Sequence, residues 1–245
     1  MNNIFIITGT SRGIGEQLAK LLLERGDVVY GISRGSSGVL DKYDMYTSVH
    51  FDLGIGSEID LILSGLFEQI DLNRTEMICL INNAAMLEPL KSIDQCSADE
   101  INKNLQISLV APMVLTSSFI KLTDNHPFRR KIINISSGSG IYPAPAMGVY
   151  CTAKAGINMF TRCVGAEQAK AHNPVEMIAV DPGMVETEMQ QIARGKNDED
   201  FEMAKYFKQA CQTGQLQSAE ALGKHLLNII DKKFETGKLI NYADG

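Results

Sequence analysis

Residues Thr8–Gly15 read TGTSRGIG, with glycines at Gly9, Gly13 and Gly15. A short apolar run, Ile4 to Thr8, leads into this stretch. An amphipathic run, Gly13 to Arg25, leads out of it, with Ile14, Leu18, Leu21 and Leu22 at helical spacing. A glycine turn between a first strand and a first helix lets the backbone approach a pyrophosphate, whose charge then sits at the helix N-terminus. The last glycine permits close packing of helix on sheet. Glycine spacing alone is a weak signal, but its place at the first strand-turn-helix junction predicts a nucleotide cradle.

The same alternation continues along the chain. Apolar runs at 28–32, 46–51, 77–81, 131–135, 176–180 and 238–242 read as further strands. Helical spacings fill 59–70, 97–118, 147–170 and 219–230, and Pro112 predicts a kink in the second of these. The pattern predicts one α/β domain over residues 1–245. Its centre is a doubly wound, Rossmann-type parallel sheet of about seven strands with helices on both faces. Residues 186–214 break the rhythm, being polar and carrying KNDEDFE at 196–202. They are expected to form a helical lid over one end of the sheet.

Composition narrows the function classes. A chain of 245 residues suits one large α/β domain. Hydrophobic residues at 44% and charged residues at 21% are ordinary for a globular protein. A net charge of −6 speaks against a nucleic-acid surface and a polybasic membrane face. Cys79, Cys96, Cys151, Cys163 and Cys211 form no C-x-x-C pair, and the four histidines show no metal spacing. Reduced thiols and no metal site are therefore expected. The start MNNIFIITG lacks a basic n-region, and no run is read as long enough for a membrane span. A cytoplasmic protein is expected.

The end of the second strand bears on the nucleotide. A dinucleotide fold that prefers NAD usually carries an acid there to hold the ribose hydroxyls. This chain has Ser33 and Arg34, with a second arginine, Arg12, in the glycine loop. Two guanidinium groups and no acid suit a 2′-phosphate, which predicts NADP(H). Asp52, in FDL at 51–53, is either an acceptor for the adenine amino group or a turn residue.

YCTAK at 150–154 places Tyr150 and Lys154 four apart on one helix face. Such pairs are common on ordinary helix surfaces, so the neighbouring motifs decide its meaning. NNAA stands at 82–85, ISSGSG at 135–140 and DPGMVET at 181–187. With the glycine loop and YCTAK, these motifs make the chain resemble the short-chain dehydrogenase/reductase family over nearly its full length. Ala85 stands where the family has glycine. Within the family, VETEMQQIAR at 185–194 and FETGKLINYADG at 234–245 resemble sepiapterin reductase and the bacterial benzil reductases.

The resemblance implies a catalytic set of Asn104, Ser137, Tyr150 and Lys154. Ser137 is chosen over Ser136 by its distance of 13 residues from Tyr150, and Asn104 over Asn102 by helix face. The implied cofactor contacts are Gly9, Ser11, Arg12, Gly13, Ile14, Gly15, Arg34, Asp52, Leu53, Asn83, Tyr150, Lys154, Pro182, Gly183, Val185 and Thr187. Tyr150 would protonate a carbonyl oxygen that Ser137 holds. Lys154 would tune Tyr150 and reach the nicotinamide ribose, and Asn104 would hold a water linking Lys154 to solvent. An ammonium ~5 Å from the phenol at an effective dielectric of ~20 would favour phenolate by ~3 kcal/mol, roughly two pKa units. Met184 and Met189 are candidates for an apolar substrate pocket. Asn241 falls where sepiapterin reductases carry a pterin-anchoring aspartate. Asp181 and Cys151 are read as structural.

The expected activity is NADPH-dependent reduction of a small ketone or a benzil-type vicinal diketone to a hydroxyketone. A pterin such as sepiapterin is the alternative substrate. A non-catalytic NADP(H)-sensing protein is the alternative of another class. The resemblance also implies a homodimer joined through the helices near 97–118 and 147–170.

Overall fold

Strand β1 (Asn2–Thr8) is buried without interruption from Ile4 onward, so both faces of the sheet beneath it must be covered. Its side chains alternate between two cores. Ile4 and Ile6 face one, and Phe5 and Ile7 the other. The computed structural model describes residues 2–199 and 201–242, and in it seven parallel strands form one sheet. The other strands are β2 (Val28–Ser33), β3 (Tyr46–His50), β4 (Thr75–Asn82), β5 (Arg129–Ile135), β6 (Glu176–Asp181) and β7 (Lys238–Asn241). Their order is β3-β2-β1-β4-β5-β6-β7. The chain winds outward one way from β1 to β3 and the other way from β4 to β7. The loops after β1 and β4 therefore diverge, which leaves a crevice at the carboxyl ends of the strands.

Helices cover both faces. On one, α2 (Ile59–Phe67), α4 (Ala111–Thr123) and α5 (Gly148–Gln168) send Leu63, Phe119 and Val164 against Ile6, Ile78 and Ile132. On the other, α1 (Gly13–Arg25) and α8 (Ala219–Asp231) send Leu18, Leu22, Leu226 and Ile230 against Phe5, Ile7 and Ile133. The doubly wound sheet expected from the sequence is thus present, with strand limits shifted by a residue or two.

The long helix near residue 100 departs from expectation. It starts at α3 (Ala98–Leu105), where Ser97 and Glu100 form a reciprocal capping box. A π-helical segment, Gln106–Val110, joins it to α4. Pro112 stands in the first turn of α4, directly after the π-helical segment, where the bonding pattern has already changed register. The irregularity in this run is a π-turn immediately before the proline. The continuous run Ala98–Thr123 is also long and apolar enough, by length and composition, to cross a membrane, which the sequence reading did not anticipate. Leu115 and Phe119 of this run are buried in the sheet core, as in a core helix.

Residues 186–214 fold into α6 (Glu188–Gly195) and α7 (Met203–Gln212). Ala193, Phe201, Ala204 and Phe207 from this segment pack with Leu87, Leu90, Met147 and Tyr150 in a third apolar cluster. The segment therefore sits against the tyrosine of YCTAK. Asp200, within KNDEDFE, lies outside the described residues.

Candidate active site

A cleft of about 1180 Å³ opens at the carboxyl ends of the strands. The loops after β1, β2 and β3 give it Gly9, Ser11, Arg12, Gly13, Ile14, Arg34, Asp52 and Leu53. Asn83, Ser137, Tyr150 and Lys154 line it as well, as do Pro182, Gly183, Met184, Val185, Thr187 and Met189. Topology thus gathers the loops after six strands, β1 to β6, around one hollow.

The glycine loop fits a dinucleotide. Gly9 and Gly13 have φ of +76° and +65°, a region that disfavours other residues. At Gly15 an added Cβ would strike the Gly9 carbonyl oxygen and lie 2.6 Å from Asn83 Nδ2. Thr8 Oγ1 accepts from the backbone N–H groups of Asn83 and Ala84, both at 3.0 Å. Asn83 Nδ2 donates to the Thr8 carbonyl at 2.8 Å. NNAA is thereby laced to the end of β1, and Asn83 braces the cradle. Arg12 precedes α1 in extended conformation, with no side-chain cap on the first turn. The orphan N–H groups there, with the helix dipole, form an anion site suited to a pyrophosphate.

The two arginines part company. Arg34 is exposed beside β2, its Nη1 at 3.9 Å from Asp52 Oδ2. Asp52 Oδ1 accepts from the Gly54 N–H at 2.9 Å, the geometry of a turn residue. Arg12 points instead to the first turn of α6, where Nη1 meets Glu188 Oε2 at 2.6 Å. The sequence grouped both guanidinium groups at the ribose. The structure ties one of them to the segment over the cleft.

At the centre, two adjacent serines diverge. Ser136 Oγ is buried and donates to Asn158 Oδ1 at 2.6 Å. Ser137 lies in extended backbone (φ −169°), accepts from the Ser139 N–H at 3.2 Å and stands beside the Tyr150 phenol, whose pKa it lowers. Lys154 Nζ donates to the Ile135 carbonyl at 2.8 Å and sits over the Tyr150 ring, 5.6 Å from its centroid. Burial pushes the Tyr150 phenol up to about 12; Ser137 lowers it and Asp181 adds to the rise. Burial pushes Lys154 down to about 8, against the pull of Asp181. The phenol is thus raised where a depression was expected, with desolvation by burial the leading cause.

Other expected residues are placed as follows. Asn104 is fully buried behind the cleft and not on its wall. Its Nδ2 donates to the carbonyls of Met86 and Glu88, each at 2.7 Å, while its Oδ1 has no hydrogen-bond partner among the described residues. Gly183 has φ of +68° and donates its N–H to Asp181 Oδ1 at 3.0 Å. Thr187 caps α6 through Gln190. Cys151 packs against the third apolar cluster. Asn241 pairs in register with Asp181 at the exposed end of β7, off the cleft wall. Residues 243–245 of the FETGKLINYADG tail lie outside the described residues. Sequence reading passed over Tyr142, Tyr206 and Phe207, which also line the cleft. It also gave Asp181, on the same wall, no part in the chemistry. The strong apolar moment of α7 was the one local signal for Phe207.

A doubly wound sheet, an anion cradle at its switch point and a serine-tyrosine-lysine cluster define a nicotinamide-dinucleotide oxidoreductase. The chain belongs to the short chain dehydrogenase family, whose model matches residues 3–198. It is an oxidoreductase of carbonyl and hydroxyl groups. A benzil reductase ((S)-benzoin forming) from Bacillus subtilis (strain 168) is 35% identical, with 98% of each chain covered. Sepiapterin reductase from Bos taurus is 27% identical over 98% of this chain and 94% of its own. A solved short chain dehydrogenases/reductase from Saccharomyces cerevisiae superposes with a TM-score of 0.85 at 22% identity, covering 99% of this chain and 97% of its own.

Proposed function

We propose that this protein is an NADPH-dependent carbonyl reductase acting on a small ketone or a vicinal diketone of the benzil type, and that it yields the hydroxyketone. The observation that carries this reading is the convergence of Ser137, Tyr150 and Lys154 on one wall of a cleft that also holds the glycine cradle. When bound, the reduced dinucleotide supplies the hydride. Gly9, Gly13 and the first turn of α1 would hold its pyrophosphate, and Arg34 its 2′-phosphate. Tyr150 provides the proton that the carbonyl oxygen takes up, and Ser137 Oγ orients that oxygen. A phenol pushed up to about 12 is fully protonated at neutral pH. That state suits reduction, since oxidation of an alcohol needs phenolate.

A methionine-rich stretch of the wall suits an uncharged, apolar substrate. Met147, Met184, Met189, Met203 and Phe207 line the cleft, and the last three belong to the segment over it, which acts as a lid. The relation to the benzil reductase supports a diaryl diketone. A homodimer through α3, α4 and α5 fits the exposed Val110, Met113 and Met159. The test is NADPH oxidation with benzil and sepiapterin offered side by side, and NADH as the control. Turnover of benzil with NADPH is expected. Preferential turnover of sepiapterin would move the substrate to a pterin, and NADPH binding without turnover of any carbonyl would leave a sensing role.

A further inference from the structure

We propose that Asp181 is a positioning residue of this site, whose carboxylate biases the Tyr150–Lys154 pair towards carbonyl reduction and away from alcohol oxidation. The inference rests on the proposed reductase activity and adds a group to it. Strand pairing sets Ile135 level with Val180, and the Ser136 N–H donates to the Val180 carbonyl at 2.7 Å. Asp181 is the next residue, so it stands beside the turn that presents Ser137. One carboxylate oxygen is fixed by the Gly183 N–H at 3.0 Å. The other faces Gly138, where an added Cβ would lie 3.3 Å away. Asp181 also lines the cleft together with Ser137, Tyr150 and Lys154.

The groups facing the pair can be named from each element around it. Helix α5 contributes Cys151, the turn after β5 contributes Ser137, and β6 contributes Asp181. Glu88, Lys103 and Glu188 line the same cleft, as do Arg12, Arg34 and Asp52. Asp181 acts on both, and in the same direction: it favours the charged lysine and the neutral phenol. Those are the forms that a proton-donating site needs. Asp181 opposes burial at Lys154 and reinforces it at Tyr150.

Asp181→Asn tests this, because the amide oxygen can still accept from the Gly183 N–H while the charge is gone. Asp181→Ser is a second neutral variant that also keeps an acceptor. The measurement is the pH profile of kcat/KM for benzil reduction with NADPH and for oxidation of the hydroxyketone with NADP⁺. A single carboxylate in a half-buried site moves its neighbours by roughly one pKa unit. The alkaline limb of reduction and the acid limb of oxidation should therefore both move down by about one pH unit in the neutral variants. Asp181→Glu should move them back. Profiles that superimpose on wild type would overturn the proposal. If the wild type reduces no carbonyl, the activity reading fails by itself. The tyrosinate absorbance that Tyr150→Phe removes is then titrated in wild type and in Asp181→Asn. A lower inflection in the variant supports the proposal, and an unchanged one overturns it.

Discussion

Lys131 and Lys154 are both buried, one at the start of β5 and one in α5, and their surroundings differ. Lys131 is 0% exposed. Its Nζ donates to the carbonyls of Ile229, Ile230 and Lys232 at 2.8, 3.1 and 2.7 Å and meets Glu176 Oε1 at 2.9 Å. These carbonyls belong to the end of α8, where helical geometry leaves acceptors without partners and the dipole is negative. Every N–H of the ammonium is therefore used, and Lys131 closes a helix. Lys154 is 4% exposed and donates to one carbonyl, that of Ile135, among the described residues. An ammonium has three donors, so Lys154 keeps hydrogen-bonding capacity on the cleft wall. A saturated buried lysine serves the fold. An unsaturated one costs stability and serves a ligand or a reaction.

The largest effect that would sharpen this contrast comes from Lys154→Met and Lys131→Met made in parallel. Lys154→Met should lower kcat/KM for benzil reduction about 10³-fold, within the range for loss of acid-base machinery. Its thermal melt should stay level or rise. Lys131→Met should lose about 3 kcal/mol in denaturant melts, because Glu176 and the end of α8 lose a buried cation. Its turnover per folded molecule should stay near wild type. Equal losses of activity would erase the distinction. Stability should follow the same line as pH changes. Between about 8 and 10.5, Lys154 is neutral when folded and charged when unfolded. The unfolded state then binds more protons, so Lys154 makes stability rise with pH across that window. Lys154→Met should lack this slope.

A smaller effect is expected at the rim. Arg12 and Glu188 form an ion pair whose side chains are both at least half exposed. Such pairs contribute little to stability, but this one occupies a guanidinium that faces the cradle. Glu188→Gln should lower the KM for NADPH by about threefold and leave that for NADH unchanged. Identical constants for NADPH in both proteins would place the 2′-phosphate with Arg34 alone.

Much of the site was legible because its signals are local. The glycine loop sits at one strand-helix junction, and YCTAK occupies successive turns of one helix. The two adjacent serines of ISSGSG were separable by spacing, and the structure turns Ser136 to Asn158 and Ser137 towards Tyr150. What escaped depends on contacts distant in sequence. Arg12 meets Glu188 only because the segment after β6 returns to the loop after β1. Lys131 looks like a surface lysine until the end of α8 arrives over it. The direction of the Tyr150 shift needed the burial supplied by Leu87, Met147 and Phe207, which no helix-face argument contains. The π-turn at Gln106–Val110 has no clear local marker, so Pro112 drew the prediction in its place. Asn241 was placed by resemblance, whereas its position in the sheet follows from pairing with Asp181.

The most direct measurement is NADPH binding and NADPH-driven benzil reduction by wild type and Tyr150→Phe, made side by side on the same preparations. The phenol is expected to be the proton donor, and general acids of this kind contribute about 10²–10⁴-fold. Tyr150→Phe should bind NADPH with nearly unchanged affinity and lose at least about 10²-fold in turnover. Full turnover in that variant would contradict the assignment of Tyr150 and, with it, the reading of the cleft as a reductase site built on the tyrosine-lysine pair.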